Sequence, residues 1–165
     1  MTCKGRLNEV FGTPKHLSNC QIFLRKYVPS SAETRLRYAF AVNPVTKSSF
    51  PPEFYFAENC FITELSNTPE DPELSIAKAR VAPGQTTRWH RLLGVAERYY
   101  ILSGRGRVEV GDLLSQDLKP GDVVIIPAMC RQRITNTGSA DLIFLAICTP
   151  RFSHAAYEDV DASNV

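Results

Sequence analysis

No run of apolar residues in this sequence approaches the length of a membrane span, and residues 1–10 lack the apolar core of a secretion signal. The expectation is a soluble, cytoplasmic protein without a membrane partner. Charge of one sign is also lacking. Nineteen Lys and Arg stand against seventeen Asp and Glu, so no net field draws the molecule to nucleic acid or to an anionic lipid surface. The five cysteines, Cys3, Cys20, Cys60, Cys130 and Cys148, are odd in number, scattered, and contain no Cys-x-x-Cys pair. That excludes a zinc knuckle and points away from a disulfide framework, leaving reduced thiols. Helical periodicity is scarce as well: residues 17–24 and the stretch after Ser153 are too short or too polar to read as helices. No internal repeat or low-complexity segment is visible.

What is present is a series of short apolar, β-branched and aromatic runs. After candidates at 21–28 and 36–42, they fall at 54–56, 61–65, 74–81, 98–102, 108–110, 123–126, 131–135 and 142–148. Turn chemistry separates them, in Pro51-Pro52, Pro83-Gly84, Gly104, Gly111-Asp112, Pro120-Gly121 and the Asn136 to Gly138 stretch. A chain of 165 residues is the size of one domain with a sizeable core. Many short strands in one domain form a sandwich or a barrel, which hide the edges of antiparallel sheets.

Two spaced patterns choose between these. Gly84, His90, Glu97 and Gly104 follow the spacing glycine, His, Glu, glycine, with Leu92 where a second His would stand. Further on, Gly121, Pro127 and Asn136 follow a second spacing in which Met129 replaces a glycine and Gln132 a His. In these motifs residues 53–152 resemble the cupins. The resemblance implies an all-β fold, a jelly-roll or double-stranded β-helix barrel at 51–153, with an N-terminal extension at 1–50 and a tail at 154–165. The extension would pack on the barrel or on a partner subunit.

A complete cupin site holds a divalent metal with three imidazoles and a carboxylate. The resemblance leaves His90, Glu97 and the weak amide donor Gln132 as metal ligands here, for one ion such as Fe, Mn, Ni, Zn or Cu, or for none. Cys130 or Cys148 is a conceivable supplement. Without metal, His90 and Glu97 still suit general acid–base work, with Tyr99 on the same strand face as Glu97 supplying a proton. The bland reading of that pair is a buried structural hydrogen bond.

Strand alternation carried outward from His90 and Gln132 places Arg88, Leu92 and Cys130 on the lumen side. Arg88, and Arg80 on the preceding strand, would then bind a carboxylate or phosphate at the pocket mouth, while Cys130 and Gln132 would face the ligand. Both arginines also fit a solvated role, which is the reading preferred for Arg91, Arg98, Arg105, Arg107, Arg131 and Arg133. Leu92 and Met129 would make the lumen apolar. Trp89 and Tyr100, with outward parity, fit the surface of a homodimer.

The functional expectation is a cupin with a small-molecule pocket centred on His90 and Glu97. It is either a metal-dependent enzyme with an incomplete ligand set, of lyase, isomerase or dioxygenase type, or a metal-free isomerase or lyase. The alternative is a non-catalytic binding or sensing barrel without metal. Dioxygenase chemistry, the most tempting by family association, is among the least supported by the residues, since it usually requires three firm protein ligands.

Overall fold

The computed structural model of the protein describes residues 52–161. The strand-like runs at 21–28 and 36–42 and the extension at 1–50 lie outside them. Eleven strands are described: β1 Phe54–Phe56, β2 Cys60–Ser66, β3 Ser75–Val81, β4 His90–Leu92, β5 Ala96–Ser103, β6 Gly106–Val110, β7 Gln116–Leu118, β8 Val123–Ile126, β9 Gln132–Asn136, β10 Leu142–Thr149 and β11 Tyr157–Asp159. They form a six-stranded sheet in the order β1-β2-β3-β10-β5-β8 and a five-stranded sheet in the order β11-β4-β9-β6-β7. Every pairing between them is antiparallel. The fold is therefore the all-β double-stranded β-helix expected from the motifs.

The period-2 pattern of the sequence explains which side chains are inside. In β5, Glu97, Tyr99 and Ile101 are buried, while Tyr100 and Leu102 face out. In β9 the inward set is Gln132, Ile134 and Asn136. Val81, Ile101, Ile134, Leu142 and Phe144 meet in the main apolar cluster between the sheets. Leu92 is buried with Val95, Cys148 and Ala156 in a second cluster. The substitution at the second-histidine position has therefore become core.

Two motif residues turn out to be structural. Gly104 has a φ of 87°, and a Cβ there would lie 2.6 Å from the carbonyl oxygen of Asp141, so only glycine fits between β5 and β6. The Asn136 Nδ2 donates to the carbonyls of Val81 and Ala140, both at 2.8 Å, and its Oδ1 accepts from the Gly138 N–H at 2.9 Å. This polar knot fixes the end of β9.

The eight runs expected in the described region all appear as strands, within a few residues of their bounds. Three strands have no apolar run of their own: β4, where strand alternation is read from the motif at His90, and β7 and β11, each of three residues with polar or charged members. Too short for alternation to show, they are held by pairing rather than by an apolar signature. The stretch read as a tail after Ser153 instead forms a one-turn 3₁₀ helix, His154–Ala156, followed by β11. β11 pairs with β4, placing Tyr157 opposite Leu92 and Asp159 opposite His90.

Candidate functional site

His90 opens β4 and pairs in register with Gln132 at the start of β9. Both side chains point inward and are 2% and 0% exposed. Gln132 Nε2 donates to Oε2 of Glu97 at 2.5 Å. On β10, Cys148 is the register partner of Glu97, and its Sγ lies 3.7 Å from Oε1. His90, Glu97, Gln132 and Tyr99 are thus brought to one side of the barrel interior, as the alternation requires.

Sequence reasoning missed the next member, Glu58. It sits in the turn 57–59 joining β1 to β2, closed by the Asn59 N–H on the Phe56 carbonyl with Asn59 at a φ of 68°. The Arg88 N–H donates to the Glu58 carbonyl at 2.9 Å, which ties this turn to the segment entering β4. The Glu58 side chain is only 14% exposed, and its Oε1 lies 3.5 Å from His90 Nε2. A glutamate beside an asparagine in a hairpin turn normally reads as solvated, so no sequence signal marks it.

The imidazole's partners fix its roles. His90 Nδ1 is 2.8 Å from the Arg88 carbonyl oxygen, which can only accept, so Nδ1 carries a hydrogen. A neutral ring then leaves Nε2 as an acceptor facing Glu58, an arrangement that calls for a proton on the carboxyl; a charged ring would pair with the carboxylate instead. Tyr157 stacks against the ring, with centroids 5.5 Å apart and planes 27° apart.

Burial decides the electrostatics. Loss of water pushes Glu58 up to about 8 from 4.5, against a weak opposing hydrogen bond from Cys60 and with help from the charge of Asp159. Burial also raises Glu97, despite the lowering influence of His90 and of the donors Gln132 and Cys148, and Glu58 adds to the rise. Tyr99 is driven well above its ordinary value by burial and by both glutamates, so its phenol stays neutral. Two polar atoms beside His90, Gln132 Oε1 and the Tyr157 hydroxyl, are buried without a hydrogen-bond partner among the described residues. Such atoms are ordinarily met by water or by a ligand.

A cavity of about 70 Å³ opens on this cluster, several times the space one water needs. Glu58, Glu64, Glu97 and Tyr99 are among its polar lining, and phenylalanines, small aliphatic side chains and His154 are among the remainder. His90 and Gln132 do not line it. They stand behind the carboxyls and set their orientation and charge.

Arg88 and Cys130 do not reach the cavity. Regular strand geometry begins only at His90 and Gln132, so alternation cannot be extended back to either residue. Arg88 instead pairs with Asp159 at 2.6 Å, and Cys130 follows a left-handed turn at Met129, whose φ is 68°, and packs beside the main apolar cluster. Met129 is half exposed and adds nothing to the lumen. Arg80 is held by Glu53 at 2.7 Å and Asp141 at 3.4 Å. On the other sheet, Arg91, Arg107, Arg131 and Arg133 each pair with an acid. Arg131 and Arg133 both lie over the ring of Trp89.

A divalent metal of the kind the resemblance implies does not fit this donor set. Among the described residues no three His, Cys, Asp or Glu side chains converge as ligands. Gln132 turns its N–H₂ toward Glu97, and the position of the second imidazole is buried leucine.

Comparison with known proteins agrees with the fold and leaves the chemistry open. Residues 77–148 match the family model of the Cupin domain. The uncharacterized protein MJ1618 of Methanocaldococcus jannaschii is 36% identical over 80 residues, which are 48% of this chain and 63% of that protein. The match thus spans less than two thirds of the relative's length. An uncharacterized conserved protein with a double-stranded β-helix domain from Klebsiella pneumoniae superposes with a TM-score of 0.57 at 16% identity, over 72% of this chain and 97% of its own. The nucleoside dehydratase Pac13 of Streptomyces gives a TM-score of 0.57 at 16% identity, over 70% and 92% of the two chains. At such identities these structures speak for the fold alone. Residues 77–148, which include His90 and Glu97, thus match the Cupin domain model, and the barrel that carries them shares the double-stranded β-helix architecture of these structures.

Proposed function

We propose that this cupin domain binds a small molecule in the cavity and moves a proton on it without a metal, in the manner of an isomerase or lyase. The observation that carries this reading is the pair of buried carboxyls, Glu58 and Glu97, on the cavity wall. Perturbed acids at a cleft are what proton-transfer sites require, because a group titrating near neutral pH can both give and take a proton.

Their surroundings divide the roles. Glu97 receives donors from Gln132 and Cys148, which favour its ionised form, so it is the base. Glu58 has only the weak thiol donor of Cys60, at 3.8 Å, and retains its proton, so it is the acid. In an elimination, Glu97 would remove a proton from carbon while Glu58 protonates the departing oxygen, leaving each carboxyl in the other's starting state. His90, in contact with Glu58, positions that carboxyl and holds its proton. The neutral Tyr99 phenol offers a further donor.

That a nucleoside dehydratase is among the proteins sharing the fold is compatible with a lyase. The test is turnover of a panel of small hydroxy compounds by protein exhaustively treated with chelator. Activity that survives chelation and disappears in Glu58→Gln and Glu97→Gln is expected. Activity that returns only with added metal would restore the metal-dependent reading, and binding without turnover would make the domain a sensing barrel.

A further inference from the structure

The cavity's lining points to the charge of its ligand. Three carboxyl side chains, Glu58, Glu64 and Glu97, contribute to it, and neither lysine nor arginine does. Its one basic member, His154, is exposed. The guanidinium groups that would have anchored an acid are committed elsewhere, Arg88 to Asp159 and Arg80 to Glu53. Arg151 comes within 2.7 Å of Asn67 Oδ1 but is not part of the lining. An anionic ligand would lose its water here and gain no counter-charge.

The remaining walls favour the opposite sign. Phe54, Phe56 and Phe152 line the cavity, and Phe56 and Phe152 meet edge to face with centroids 6.4 Å apart. Ring faces attract cations through their quadrupole. Glu64 points inward from β2 and accepts a hydrogen bond from Asn67 Nδ2 at 2.9 Å, with no cationic partner among the described residues. Acidic side chains on an open surface are merely solvated. Here they share a partly open cavity with aromatic walls, and the cavity is what makes them a site.

We propose that the cavity takes a small organic ammonium compound, its charged nitrogen held between the Glu64 carboxylate and the phenylalanine rings. The proposal refines the small-molecule pocket of the preceding reading and rests on it for the location only. A neutral ligand of the same shape would gain the apolar contact but not the charge pairing, and an acid would be rejected.

The experiment compares three probes with a common ring, benzylamine, benzyl alcohol and benzoate, by titration calorimetry against the full chain at neutral pH. Benzylamine is expected to bind at least tenfold more tightly than benzyl alcohol, with benzoate showing no binding over the same concentrations. Glu64→Gln should remove most of that preference, and Phe152→Ala should weaken benzylamine more than benzyl alcohol, with unchanged melting temperature certifying a folded variant. Equal binding of amine and alcohol, or preference for benzoate, would overturn the charge assignment while leaving the pocket in place. Absence of binding by all three would overturn the assignment too. Chelator-resistant turnover of the hydroxy-compound panel by the wild type would still decide the proton-transfer reading separately.

Discussion

The barrel interior contains two buried regions built by the same rule. In the main core, alternation along β3, β5, β9 and β10 brings Val81, Ile101, Ile134, Leu142 and Phe144 together. One step along the same strands, the identical alternation delivers Glu97 and Gln132, with His90 from β4 and Glu58 from a turn. The first region stabilises the fold by removing apolar surface from water. The second works against folding, since two carboxyls give up hydration with no lysine or arginine beside them. Polar groups that break the apolar pattern of a core, at a stability cost, are what a retained functional site looks like.

The sharpest separation of the two regions comes from truncating each. Ile101→Ala, at a fully buried core position, should lower unfolding stability by about 3–4 kcal/mol, read by denaturant titration. Gly104→Ala should be comparably severe, because its Cβ would collide with the backbone of Asp141 and Leu142. Neutralising the site should do the reverse. Glu58 has a folded value of about 8 against an ordinary 4.5, so between those limits the native state binds more protons than the unfolded chain. Stability then falls as pH rises through that window, by as much as about 1.4 kcal/mol per pH unit. Glu58→Gln should flatten this slope and leave the variant more stable than the wild type at pH 8. A wild type whose stability rises from pH 5 to pH 8 would contradict the assignment.

A smaller effect is expected at Met129, which stands where the motif has glycine and adopts a φ of 68°. Met129→Gly should relieve up to about 1 kcal/mol of backbone strain, partly offset by the freer unfolded chain. Thermal denaturation would show a slight gain or no change. A clear loss would mean that the half-exposed side chain contributes packing beyond its turn.

Most of the barrel was legible because most strands carry their own pattern. Val123 to Ile126 and Leu142 to Cys148 are apolar runs bounded by turn residues, and they pair as such a pattern implies. The three-residue strands β4, β7 and β11 have no room for a pattern, and their existence depends on partners far away in sequence. The site divides in the same way. Glu97, Tyr99 and Gln132 lie within regular strands, so parity placed them correctly; Arg88 and Cys130 lie just before a strand begins, where parity has no meaning. Glu58 and Tyr157 come from a turn and from a chain end, and only the pairing of β11 with β4 and the docking of the 57–59 turn bring them to His90.

Proton transfer at this site requires a protonated Glu58 carboxyl at the cavity wall, and infrared spectroscopy observes it directly through the carbonyl stretch that only a protonated carboxylic acid shows. Titrated from pH 5 to pH 9 after chelation, the wild type should retain this band at pH 6 and lose a part of it with a midpoint near 8, where burial places Glu58, and that part should be missing in Glu58→Gln. A protein whose carboxyls are all ionised by pH 6 would contradict the proton-transfer site and return His90 and Glu97 to the role of metal ligands.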